Sequence, residues 1–271
     1  MSRPKDARRR HGADVPSAAK RFSGRRYGAF SGRRYVGLAW LMFSLPGLLA
    51  PARAQAPAKP PAQDAAKVPD AKQSGGEPDG IVQVANLVYA GTKSSRCFSD
   101  HFLIKAEKES AISTSRRFHA VKLGSDDIYE FPLLIMTGEG TFQLSDQERQ
   151  YLRRYVERGG FLLASAGCSS SEWDRSFRRE MATIFPKNPL EPIDLSHPLF
   201  HTVYEIKQVQ ARHGTPRPLV GVSIGGRLGV VYSQDGLNDT GHTTGCCCCG
   251  GNELSNAIEI NVNILAYALT Y

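Results

Sequence analysis

The chain has 271 residues, 41% of them hydrophobic and 22% charged, proportions of a globular protein rather than a disordered or fibrous one. Its formal charge of +8 is concentrated: residues 1–54 hold 12 Lys and Arg against 2 Asp and Glu, whereas residues 55–271 hold 22 against 24. A basic leader on a near-neutral body argues against a nucleic-acid partner, whose binding domain carries its positive charge on the folded face, and no stretch reaches the ~20 apolar residues of a membrane-spanning helix.

Arg8-Arg9-Arg10, Arg25-Arg26 and Arg33-Arg34 precede an apolar run from Val36 to Ala50. At about 1.5 Å per residue that run reaches about 22 Å, short of the ~30 Å hydrocarbon core. Pro51 and Ala52-Arg53-Ala54 then supply a helix stop and a small-x-small cleavage signature. Residues 1–54 are therefore expected to be a signal peptide with a long basic n-region, cut before Gln55. The body would be exported to the periplasm, the cell surface or the medium. The general secretory route is expected over the twin-arginine route, because Gly37 and Leu38 fit the Arg33-Arg34 pattern poorly. If the leader is not cut, it is the one membrane contact. Residues 55–80, rich in Ala, Pro, Lys, Asp and Gly, bury too little apolar surface to offset their ordering entropy and read as a linker.

The body, residues 82–271, is long enough for one well-buried core. Ile81–Ala90 reads as a strand and Phe98–Ile112 as a helix with Phe102, Leu103, Ala106 and Ile112 on one side. Phe118–Leu123 follows as a short strand, and Pro132–Met136 is a continuous apolar run, the pattern of a strand covered on both faces. Ser145 and Glu148 form a capping box ahead of the stripe Tyr151, Leu152, Tyr155 and Val156, which ends at Gly159-Gly160. Phe161–Ser165 is a second buried strand, and Glu172–Phe185 a helix whose cap is expected at Ser169 or Ser171. Its residues Asp174, Arg175, Arg178 and Arg179 read as a solvated face. Leu219–Ile224 and Leu228–Ser233 flank Gly225-Gly226-Arg227, a hairpin or bulged turn. Leu254–Leu269 is a helix with Ile258, Val262, Leu265 and Leu269 spaced to pack on the sheet. The alternation predicts a doubly wound, mostly parallel α/β sheet with an antiparallel hairpin addition.

In such sheets ligands bind outside the carboxyl ends of the strands. Three exits follow: Gly91–Cys97, Thr137-Gly138-Glu139-Gly140 and Ala166-Gly167-Cys168. Cys97, Thr137, Gly138, Glu139, Gly140, Cys168 and Ser169 are thus the candidate ligand-binding residues. Cys168 stands between a strand and a helix start, whose positive end favours a thiolate. As a nucleophile it would need His197 or His242 as base, with Glu139 orienting that base. The plainer alternative is a cysteine that fills a tight turn or joins a disulfide.

Cys246-Cys247-Cys248-Cys249 matches no common zinc spacing, since adjacent cysteines cannot all face one centre. With Cys97 and Cys168 they allow fifteen disulfide pairings. A loop stapled to the sheet edge is expected. No cofactor is expected, although Cys246, Cys247, Cys248 and Cys249 would suit zinc or copper. The chain has no Walker loop, no Gly-x-Gly-x-x-Gly after the first strand and no His-Glu-x-x-His.

Thr137-Gly138-Glu139-Gly140 with Leu144-Ser145, Gly159-Gly160-Phe161-Leu162, Phe177-Arg178-Arg179-Glu180-Met181, His197-Pro198-Leu199-Phe200, and Val262-Asn263 through Tyr267-Ala268-Leu269-Thr270 together resemble the bacterial domain-of-unknown-function family 4159. The resemblance implies a class I glutamine-amidotransferase-like, flavodoxin-like fold and no reaction. Hydrolases of that superfamily carry the nucleophile in a Gly-x-Cys-x-Gly elbow. Here Ala166 and Ser170 stand in place of both glycines. The leading expectation is therefore a non-catalytic exported domain that binds an unknown ligand or an exported protein partner. A cysteine hydrolase using Cys168, and a thiol-based metal or redox module using Cys246 to Cys249, are the alternatives.

Overall fold

The computed structural model describes residues 80–94, 97–246 and 251–271. The predicted leader, the linker up to residue 79 and Cys247–Cys249 lie outside the described residues. Seven strands, β1 (Val82–Val88), β2 (Thr114–Lys122), β3 (Leu133–Gly138), β4 (Phe161–Ala166), β5 (Glu191–Pro192), β6 (Val220–Ile224) and β7 (Arg227–Ser233), form a sheet in the order β2-β1-β3-β4-β7-β6-β5. The first five in that order run parallel, and β6 and β5 are antiparallel additions.

Period-two alternation within the apolar strands feeds two cores. Leu133 and Ile135 of β3 face α1 (His101–Glu109) and α4 (Ala257–Thr270), where Phe102, Leu103, Ile260 and Ile264 close one side. Leu134 and Met136 face α2 (Asp146–Glu157) and α3 (Ser171–Ile184), where Leu152, Tyr155, Trp173 and Phe177 close the other. Strands covered on both faces have no polar side to alternate with, which is why they read as continuous apolar runs.

The capping box forms as expected. Ser145 Oγ accepts the Glu148 N–H, and Glu148 Oε2 accepts the Ser145 N–H at 2.7 Å. The other oxygen, Oε1, accepts the Ala90 N–H at 2.6 Å and so ties the cap to the end of β1. Gly225 and Gly226, at φ +60° and +83°, make the tight link from β6 to β7 that such positive angles favour.

Four expectations need correcting. The cap of α3 is Ser170, whose Oγ accepts the Trp173 N–H. Asp174 is buried rather than solvated, because Tyr232 Oη, 58 residues away, donates to it at 2.8 Å while Arg178 pairs with it from the outside. Burial, reinforced by that carboxylate, raises the Tyr232 phenol well above its ordinary value. On α4, Leu269 is exposed and Ile258 only partly buried, whereas every residue from Ile260 to Tyr267 is buried. The helix is enclosed on more than its sheet side. Asn263 Oδ1 accepts the Val203 and Tyr204 N–H groups, and Asn261 Nδ2 donates to Leu237 O at 2.9 Å. Finally β2 begins at Thr114, four residues before the predicted start, and the polar edge strand β5 was not predicted.

Aromatic side chains close the amino ends of the strands. Tyr155 Oη donates to Phe131 O at 2.8 Å and accepts the Phe161 N–H at 3.2 Å. Burial raises the Tyr155 phenol above its ordinary value. Gly160 lies flat against the Tyr155 ring, where any Cβ would overlap it. Across the sheet, the Tyr267 ring meets Phe161 at 5.7 Å.

Candidate functional site

Parallel strands finish on one side, so the exits of β1, β3, β4 and β7 share an edge. A buried polar lattice stitches that edge together. Asn238, just past β7, donates through Nδ2 to Thr137 Oγ1 at 3.1 Å and accepts the Ser165 hydroxyl, while Ser165 Oγ accepts the Leu237 N–H at 2.7 Å. Ser99 N–H, ahead of α1, donates to Asn238 O at 2.8 Å. Thr137 is fully buried, so among the predicted ligand-binding residues it supports the edge from behind. Its carbonyl accepts the Tyr89 hydroxyl at 3.0 Å, and burial pushes that phenol up to about 12.

On this lattice sits the turn Gly167–Ser169. Cys168 is held at φ +50°, ψ +29° and Ser169 at φ +51°. Left-handed backbone at a residue with a Cβ costs roughly 1–2 kcal/mol. A left-handed turn thus forms between Ala166 and Ser170 without glycine at either position, and long-range contacts hold this elbow. Ser169 Oγ accepts the Asn252 N–H at 2.7 Å and donates to Asp235 O at 3.0 Å. Ser170 Oγ accepts the Gly140 N–H at 3.2 Å. Gly251 presses on the elbow so closely that a Cβ there would sit 2.5 Å from the Cys168 carbonyl carbon.

Cys168 Sγ donates to Glu139 Oε1 at 3.1 Å. The predicted meeting of the β3 and β4 exits therefore occurs, and it joins a thiol to a carboxylate. Beside it lies a narrow crevice of about 10 Å³, room for about one water molecule, lined by Cys168, Asp235, Asn238, Thr240 and Glu253 among others. Its acids are engaged: Asp235 accepts the Arg217 N–H at 2.6 Å, and Glu253 accepts the Thr240 N–H at 2.8 Å and pairs with Arg212 at 3.3 Å.

Cys97 lies on the same edge but is committed to a disulfide with Cys246, 149 residues away, with Cα atoms 5.5 Å apart. The expected stapled loop is present. Cys97 and Cys246 are consequently withdrawn from any tetrathiolate, and Cys247, Cys248 and Cys249 lie outside the described residues.

The two candidate bases separate. His197 caps the short turn Pro198–His201, its Nδ1 accepting the Leu199 N–H at 3.2 Å, and its ring packs on Tyr267 at 5.3 Å. Tyr267 in turn meets Phe161, the first residue of β4, whereas Cys168 lies two residues past the last. Six residues at about 3.3 Å each put roughly 20 Å between them. The structure does not bring His197 to Cys168. Partial burial lowers the His197 pKa. His242 does lie on the carboxyl edge, in the turn Thr240–His242 whose Thr240 lines the crevice. Its Nδ1 meets both carboxylate oxygens of Asp239 at 2.9 Å, and its ring lies 4.3 Å from that of His101.

Asn238, Asp239, Glu253, Gly251 and His101 were missed in the sequence. The signal for the first two was available: β7 is a parallel neighbour of β4, so the carboxyl-end rule covers its exit too, but it reads as half of a hairpin.

These features define an α/β domain with a polar, strained edge at the carboxyl ends of its parallel strands. The model of the domain of unknown function family DUF4159 matches residues 84–269, and the chain belongs to that family. None of the curated proteins compared with the chain matches it. Among the described residues, no helix is long and apolar enough to cross a membrane.

Proposed function

We propose that this is an exported binding domain whose carboxyl edge, at the mouth of this crevice, meets a small polar group of a ligand or an exported partner. Cys168 and Glu139 form the contact point. The observation that carries the reading is the left-handed Cys168 with its thiol on Glu139. Backbone strain of this kind persists only where surrounding structure over-determines it, and it clusters at functional sites. At about 10 Å³ the crevice is far smaller than the ~300–1,000 Å³ pockets that enclose drug-sized ligands, which favours a contact at its mouth over enclosure of a whole cofactor. The Cys97–Cys246 bridge supports export, since disulfides persist in oxidising compartments.

A disulfide-tethering screen read by intact mass tests this. Polar fragments should be captured at Cys168, with capture falling by about tenfold in Asn238→Ala. Capture indifferent to fragment chemistry would remove the binding reading. The elbow also favours a second reading, a cysteine hydrolase with Cys168 as nucleophile and Glu139 as acceptor of its proton. Turnover of simple esters or amides that is lost in Cys168→Ser would establish that reading instead.

A further inference from the structure

We propose that His101, Asp239 and His242 form a binding site for a divalent transition-metal ion of the zinc type, separate from the thiol and from the tetracysteine segment. One ring nitrogen of each histidine and one carboxylate oxygen of Asp239 all lie within 4.8 Å of one another. The two imidazoles face each other at 4.3 Å between centroids with 33° between planes. His242 Nδ1 already lies 2.9 Å from both oxygens of Asp239.

The second observation concerns His101. Its Nδ1 is shielded from solvent and has no hydrogen-bond partner. A buried imidazole nitrogen left unpaired costs of the order of 1–3 kcal/mol, and a cation bound at that nitrogen would satisfy it. Asp239 is itself buried and held at φ +52°, ψ +50°, another left-handed residue with a side chain. That backbone is anchored on one side by Asn238 O, which accepts the Ser99 N–H, and on the other by the His242 N–H bonded to Asp239 O.

The arrangement is braced in a way that suits a preformed site. His101 lies four residues after Cys97 and His242 four before Cys246, so the disulfide between those cysteines clamps together the two segments that carry the imidazoles. Two imidazoles and a carboxylate are the donor set of zinc sites that keep one position open for water or a further ligand. Zinc with N and O donors at about 2.1 Å holds its ligand atoms about 3.4 Å apart in a tetrahedron. Spacings within 4.8 Å therefore need to close by at most about 1.4 Å, within reach of side-chain rotation at His242, which is half exposed. No donor is Cys168 or Glu139, so the inference does not rest on the crevice reading.

The test is zinc uptake by the full oxidised chain, measured by competition with a chromophoric chelator, with cobalt(II) as a spectroscopic substitute. One equivalent is expected to bind the parent chain and the Cys247→Ser/Cys248→Ser/Cys249→Ser variant alike. His242→Ala and His101→Ala should each weaken it by at least about tenfold, and His213→Ala should leave it unchanged. His242→Ala suffices should His101→Ala fail to fold, because His242 makes its contacts at the surface. The cobalt complex should show ligand-field bands without thiolate-to-cobalt charge transfer. Uptake lost in the triple cysteine variant, uptake retained in His242→Ala, thiolate charge transfer, or no uptake by the parent chain would each overturn the proposal.

Discussion

At the amino ends of the central parallel strands, the sheet is sealed by aromatic groups whose hydroxyls are satisfied: Tyr155 bonded to Phe131 and Phe161, Tyr267 accepting the Leu228 N–H at 3.4 Å and packed on Phe161. At the carboxyl ends, the chain holds Ala90, Cys168, Ser169 and Asp239 at positive φ, four of the five non-glycine residues so placed among those described; the fifth, Arg116, lies near the start of the edge strand β2. A cluster of hydroxyl, amide and carboxylate groups fixes them. The difference shows where each end spends its free energy. One stabilises the fold, and the other holds the Cys168 thiol and the Asp239 carboxylate on backbone that a relaxed chain would not adopt.

The largest effect expected from breaking that division is at the sealed end. Tyr155→Ala removes a buried ring and its bonds to two strands, and should cost about 3–5 kcal/mol in chemical denaturation while leaving alkylation of Cys168 in the native state unchanged. A parallel loss of thiol selectivity would show that the two ends are not independent. Next comes Cys168→Gly at the strained end. Relief of about 1–2 kcal/mol of left-handed strain, less about 0.5–1 kcal/mol for the added freedom of the unfolded chain, predicts a stability gain of up to about 1.5 kcal/mol. Cys168→Ala, which keeps the Cβ, should give no such gain. A loss in Cys168→Gly would mean the elbow is not strained.

The smallest effect sharpens the contrast among histidines far from the crevice. Burial lowers the His197 pKa, so the unfolded state binds the extra proton. Its stabilising contribution is present above about pH 6.5 and is lost as pH falls below that value. Hydrogen bonds to Glu205 and Leu195 raise the His201 pKa, so its contribution is present below about pH 6.5 and is lost as pH rises through the folded value. Imidazole titrations followed by NMR should bracket 6.5 from opposite sides. Coincident midpoints would show that neither environment acts.

Local rules recovered most of the scaffold because its causes are local. The Ser145–Glu148 box, the Gly225-Gly226 turn and the apolar runs of β3 and β4 each carry their structure in adjacent residues. The carboxyl-edge rule then brought Glu139 to Cys168 without any contact being known. What escaped has distant causes. The elbow at Cys168 is imposed by Gly251 and by Asn252 acting on Ser169. The burial of Asp174 depends on Tyr232, and the all-round enclosure of α4 on Val203 and Tyr204. The pairing of Cys97 with Cys246 was one of fifteen arrangements, and nothing in the spacing of the cysteines selects it. His101 and His242 are 141 positions apart, a separation no motif spans.

The clamp between Cys97 and Cys246 sets an order of events for any chain that emerges amino end first. Cys97 is presented early, Cys168 follows at a separation of 71 residues, and the rightful partner arrives only when a further 78 have passed. During that interval the nearest sulfur is the wrong one. Correct closure then depends on delay or on reshuffling by an exchange catalyst, and a shortened chain that ends before residue 246 has no native mate for its first cysteine at all.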